Sequence, residues 1–153
     1  MGYQCEVKKI DDMYFVSGQL DKTFRTTVDS IPTDENINFN LGKLISINSG
    51  GIREWVMLML KLKNCRIELF ECPKVFIDQV NTVKDFVPEN VQIMSFYVPY
   101  YNEKMDSEKN VLFRLNHEYT DKKVMPLKKV LDDKGIALDI DVVESKYFKF
   151  ILG

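Results

Sequence analysis

Between residues 37 and 101 the hydrophobic period of the chain switches from the strand's two to the helix's roughly 3.6 and back, twice. In NINFNL, Ile37, Phe39 and Leu41 alternate with asparagines, which is a strand pattern. In GGIREWVMLMLKLK, Ile52, Trp55, Val56, Met59 and Leu62 fall on one wide face at about 100° per residue, and Arg53, Glu54, Met57 and Lys61 gather opposite. CRIELF reads as the next core strand. PKVFIDQVNTVKDFV lines up Phe76, Val80, Val83 and Phe86, with Pro73 suited to the first helical turn, and VQIMSFYVPYY returns to strand. A strand–helix–strand–helix–strand order requires right-handed crossovers and an at least partly parallel sheet, so the fold class is α/β.

The flanks are less regular. QCEVKKI and MYFVSGQL meet at Asp11-Asp12, a turn pair that predicts a hairpin, while DKTFRTTVDSIPTDE reads as a loop with a short helix. Beyond about residue 103 the texture changes. EKMDSEKN reads as a charged linker, NVLFRL as a strand and DKKVMPLKKVLDDKG as mostly loop. ESKYFKFIL is expected to form a short helix packing its aromatics back on the body. The division is a domain over 1–102 and an extension over 103–153.

Composition narrows the classes of function. A chain of 153 residues with 45% hydrophobic and 29% charged residues is one that buries a core. Its formal net charge of -2 offers no electrostatic reason for nucleic acid or an anionic membrane as partner. The stretch GYQCEVKKIDD lacks an apolar run, so no signal peptide is expected, and Glu6 breaks the myristoylation pattern begun by Met1-Gly2. WVMLML is far too short to cross a bilayer. Cys5, Cys65 and Cys72 form no C-x-x-C pair and are odd in number, as expected of reduced thiols in a cytoplasmic protein.

The handover from strand to helix, LISINSGGIREW, admits three chemistries. Exposed amides at a helix N-terminus hold anions, yet neither G-x-x-x-x-G-K-[ST] nor G-x-G-x-x-G is present. Ser49 as a hydrolytic nucleophile needs a base and an oxyanion site. Ile47 stands where G-x-S-x-G requires glycine, and His117, the sole histidine, lies in the charged tail as a solvated loop residue. The third reading is a cap: Asn48 or Ser49 satisfies the helix start while Gly50 and Gly51 allow close packing.

The order G-x-L-D (Gly18, Leu20, Asp21), then INFNLGKLISINSGGI, a helix, IELFECP and a second helix resembles the STAS domain of anti-sigma-factor antagonists and of the cytoplasmic tails of sulfate transporters. The resemblance spans roughly residues 4 to 100. Residues 40–43 match the family's first Asp-Leu-Ser-Gly element and residues 48–52 its Asp-Ser-Ser-Gly-Leu element. Asn40 and Asn48 replace the acids, and Gly50 the second serine. The resemblance implies a mixed sheet with helices mainly on one face, no catalysis and no cofactor. It implies that Ser49 is the serine phosphorylated by a partner kinase, with Asn48, Ser49, Gly50, Gly51, Arg53 and Met57 meeting a protein partner. That partner would be an anti-sigma-type kinase or a sensory complex. The alternative within the family is a small-molecule or nucleotide-binding module.

The C-terminal part resembles extensions of STAS-like proteins that carry two C-x-x-C pairs and an aromatic-rich end. Asn102 and Met105 stand at one pair's spacing and Leu131 and Lys134 at the other's. None is a thiolate ligand, so the resemblance implies a degenerate zinc ribbon without metal. Val111, Phe113, Tyr147, Phe148 and Phe150 are its expected packing. Asp132, Asp133, Asp139 and Asp141 lack the ladder and bidentate Glu of an EF-hand and read as solvated acids.

Overall fold

The alternation of Ile37, Phe39 and Leu41 with asparagines builds the middle of a five-stranded sheet. The computed structural model describes residues 4–27 and 30–153. The expectations for Met1-Gly2, and the part of the loop reading that covers Val28 and Asp29, lie outside these residues. Strands β1 (Glu6–Ile10) and β2 (Met13–Leu20) form the expected antiparallel hairpin, with Asp11 at φ 53 in its turn. After α1 (Phe24–Thr27) come β3 (Ile37–Ile47), α2 (Ser49–Lys61), β4 (Ile67–Phe70), α3 (Lys74–Thr82) and β5 (Val91–Ile93). The sheet order is β1-β2-β3-β4-β5, with the last four strands parallel. The fold is therefore mixed α/β.

The period-two pattern separates the two faces of this sheet. Phe39 and Leu69 are fully buried, and Trp55, Phe76 and Phe86 gather around them. Trp55 lies 5.2 to 6.0 Å, centroid to centroid, from Phe24, Phe39, Phe76 and Phe86, and its Nε1–H donates to the Phe86 carbonyl at 2.8 Å. On the opposite face the register aligns half-buried Phe15, Asn40 and Phe70 in one row, so the asparagines of NINFNL lie away from the aromatic core.

Four expectations are corrected here. The pattern VQIMSFYVPYY forms two strands: β5 stops at Ile93 and β6 (Ser95–Asn102) starts a second sheet. Met94 joins them, its N–H donating to Leu69 and its carbonyl accepting from Leu115. The charged stretch EKMDSEKN is only in part a linker, because β7 (Ser107–Arg114) begins inside it and pairs β6 along its whole length. The helix expected over 73–87 ends at Thr82: Val83 is already extended and Asp85 sits at φ 62, which lets Phe86 turn back under Trp55. The terminal aromatics occupy two short helices, α4 (Glu144–Tyr147) and α5 (Lys149–Leu152), rather than one.

The second sheet runs β7-β6-β9-β8, all antiparallel, with β8 (Val130–Leu131) and β9 (Ala137–Ile140). The division at 102/103 falls in the β6–β7 turn, where Asn102 faces Ser107. Phe96 on β6 gathers Phe113, Tyr119, Tyr147, Phe148 and Phe150 at 5.0 to 6.2 Å; all but half-buried Phe150, which packs against it, belong to the same contiguous buried cluster as Trp55. Among the described residues no helix is long and apolar enough to cross a membrane.

Candidate functional site

The strand-to-helix turn is a helix cap pressed into the end of a neighbouring strand. Asn48 is the N-cap of α2, extended at φ -105 and ψ 178, and its Oδ1 accepts the Gly51 N–H at 2.9 Å. The Asn48 N–H donates to the Leu20 carbonyl at 3.1 Å, tying the turn to the C-terminal end of β2. A Cβ on residue 51 would lie 1.9 Å from the Leu20 carbonyl oxygen, so no side chain fits there. The same strand carries Gly18, at φ 80 beside a β-bulge, a conformation that favours glycine. Two elements of G-x-L-D thus shape the seat into which the turn fits, and the third, Asp21, uses its carboxylate to accept from the Thr23 N–H and hydroxyl.

This geometry divides the expected docking set. Asn48, Ser49, Arg53 and Met57 are exposed, and Gly50 is half-buried. Gly51 is buried and corrects the expectation that it meets a partner. The backbone amides of Asn48 and Gly51 are not free to meet an anion or a partner, since they already have acceptors on β2 and in the turn. Ser49 is the first residue of α2, and the first turn of the helix carries no acidic side chain. Unpaired N–H groups and the helix dipole favour added negative charge at that position.

Along α2 the exposed positions Ser49, Arg53, Met57, Leu60 and Lys61 follow helical spacing and form one stripe. Met57 is 55% exposed and Leu60 59%. Leu60 was not singled out from the sequence, because it sits inside the apolar run WVMLML and only the packing of Leu58 and Met59 leaves it facing outward.

Asn40, at the other acid position of the resemblance, does not join this turn. Its Oδ1 accepts from the Gly42 N–H at 2.9 Å and its amide donates to Glu71. Glu71 also accepts from the Tyr97 hydroxyl at 2.9 Å, and its own N–H donates to the Ser95 hydroxyl. Desolvation, and then the hydrogen bond from its hydroxyl to Glu71, raise the Tyr97 pKa. These residues come from β3, β6 and the position just after β4, and sequence spacing held no signal of their meeting.

The ribbon-like positions bring an amide where the resemblance has a first thiolate. Asn102 Oδ1 accepts from the Met105 N–H at 3.1 Å while its Nδ2 donates to the Ala137 carbonyl at 2.9 Å, joining the β6–β7 turn to β9. Asp132 Oδ1 accepts from the N–H groups of Lys134 and Ile136, and the bond from Ile136, before any other cause, holds its carboxyl below the ordinary pKa. Among the described residues no three His, Cys, Asp or Glu side chains converge as a metal site requires. His117 is exposed, and Cys5, Cys65 and Cys72 are buried and free. Compared with protein-family models, with curated proteins and with solved structures, the chain matches none.

Proposed function

We propose that this chain is a non-enzymatic regulatory or scaffolding module of STAS type, which docks a protein partner through the Asn48-Ser49-Gly50 turn and the exposed stripe of α2. One observation carries the reading. The close approach of Gly51 to Leu20 and the burial of Trp55 anchor the turn and helix on one side, while Ser49, Arg53, Met57 and Leu60 stay exposed in one line on the other. The hairpin followed by three parallel strand–helix crossovers, with the aromatic core between helices and sheet, supports the STAS assignment. Ser49 is the switch of this surface. Phosphate there would add roughly -1.5 to -2 charges at a helix end that accommodates them, so the fold persists while the docking surface changes sign.

The test is photo-crosslinking from position 57 in the native host, with exposed Ile10 on β1 as control site, followed by affinity measurement with the captured protein. Ser49→Asp and Met57→Lys are each expected to weaken binding at least tenfold, about 1.4 kcal/mol. The melting temperature should stay within a few degrees of wild type. Affinity indifferent to both substitutions sinks the reading. A nucleotide that raises the melting temperature and protects the same surface would favour the ligand-binding alternative instead.

A further inference from the structure

A second concave surface lies far along the chain from the α2 stripe. A groove of about 470 Å³ is bordered by residues 109–114 of β7 and by residues 125–131, which lead across to β8. Successive side chains of a strand point to opposite faces, so a groove touching six consecutive residues of β7 runs along the backbone of that strand. β7 is also the outer strand of its sheet, and among the described residues no further strand pairs its other edge. The groove is lined by apolar Tyr100, Val111 and Phe113 and by Leu127 and Leu131, which are 39% and 42% exposed.

Its charge is mostly positive. Lys109, Lys128 and Lys129 line the groove, and none has an ion-pair partner among the described residues. Arg114 is already paired with Glu118 at 3.2 Å, and that pair contains the only carboxylate lining the groove among the described residues. A chain of net charge -2 thus presents a local excess of positive charge above an apolar lining.

We infer that this groove is a binding site for an extended peptide segment of a partner, in which acidic and apolar residues alternate. Backbone groups of such a segment pair with the free edge of β7, its apolar side chains enter the groove, and its carboxylates meet the three lysines. The site is separate from the Ser49 surface, and its failure leaves that reading untouched.

The experiment uses the full chain, isotopically labelled for NMR, and the fluorescent hexapeptide acetyl-Glu-Val-Glu-Ile-Glu-Val-amide. Expected are saturable binding and amide shifts concentrated at residues 109–114 and 125–131. Binding should weaken as salt is raised, and fall at least tenfold in the triple variant Lys109→Glu, Lys128→Glu, Lys129→Glu. These lysines are exposed, so the variant keeps its fold, checked by an unchanged amide spectrum elsewhere. Leu127→Lys, which leaves the three lysines in place, tests the apolar contribution and should also weaken binding. The inference is overturned by equal affinity for the peptide with lysine in place of glutamate, by shifts confined to α2, or by no binding at millimolar peptide. Preferential binding of a single-stranded oligonucleotide in the same groove overturns it as well.

Discussion

The Leu20 carbonyl oxygen occupies the space that a Cβ on residue 51 would need, only 1.9 Å from its ideal position. Both partners are backbone, so neither can rotate away. Gly51→Ala therefore has to push α2 off β2 and is expected to cost about 3 kcal/mol. Gly50→Ala meets its nearest neighbour, the Lys22 nitrogen, at 3.2 Å, and gains helix propensity. Its net effect should stay within about 1 kcal/mol. Urea denaturation of the two variants measures the contrast, and equal stabilities would mean that the turn is not seated as described.

Asn48 and Ser49 act on α2 in opposite senses. Asn48→Ala removes the side-chain acceptor of the Gly51 N–H and should destabilise by about 1 kcal/mol. Ser49→Asp places a carboxylate in a first turn that has none, and should stabilise by roughly 0.3–1 kcal/mol at low salt. Thermal melts at low and high ionic strength check both, since only the second effect is screened.

The Asn102 amide, bonded to Met105 and Ala137, ties the β6–β7 turn to β9. Asn102→Ala should lose about 1–2 kcal/mol locally. Hydrogen exchange should show faster amides at Met105 and along β9, with α2 unaffected. Replacing Met105 or Lys134, both exposed, should change little. Elemental analysis of the purified chain is expected to find no stoichiometric zinc.

Alkaline pH should weaken the second sheet's aromatic core. The hydroxyls of Tyr119 and Tyr147 donate to the carbonyls of Ile93 and Tyr97 at 2.5 and 2.6 Å. Burial, more than nearby charges, pushes both pKa values up. The folded state then retains protons that the unfolded state releases above the ordinary tyrosine value near 10. Stability from these groups is complete below about pH 10 and is lost as pH rises beyond it. Burial likewise raises the Cys5 thiol from 9.0 to about 11, so its share is lost between those values. Urea midpoints followed from pH 8 to pH 11 should fall, and less steeply in Tyr119→Phe.

What the amino-acid order determined by itself was local. The Asp11-Asp12 hairpin, the alternation in Ile37–Leu41, the helix presenting Trp55 and the cap at Asn48 all rest on contacts or dihedrals within a few residues. Period and turn chemistry report such features directly. The tertiary structure alone decided the rest. Met94 divides one apolar run between two sheets because Leu69 and Leu115 bond its backbone from both sides. Asn40 meets Glu71 and Tyr97 through strand register, and Gly51 is buried because Leu20, from a different strand, closes over it. Leu60 faces outward although its apolar neighbours face inward. Each of these outcomes depends on which distant backbone arrives alongside, and a residue's own neighbours in the chain carry no record of that.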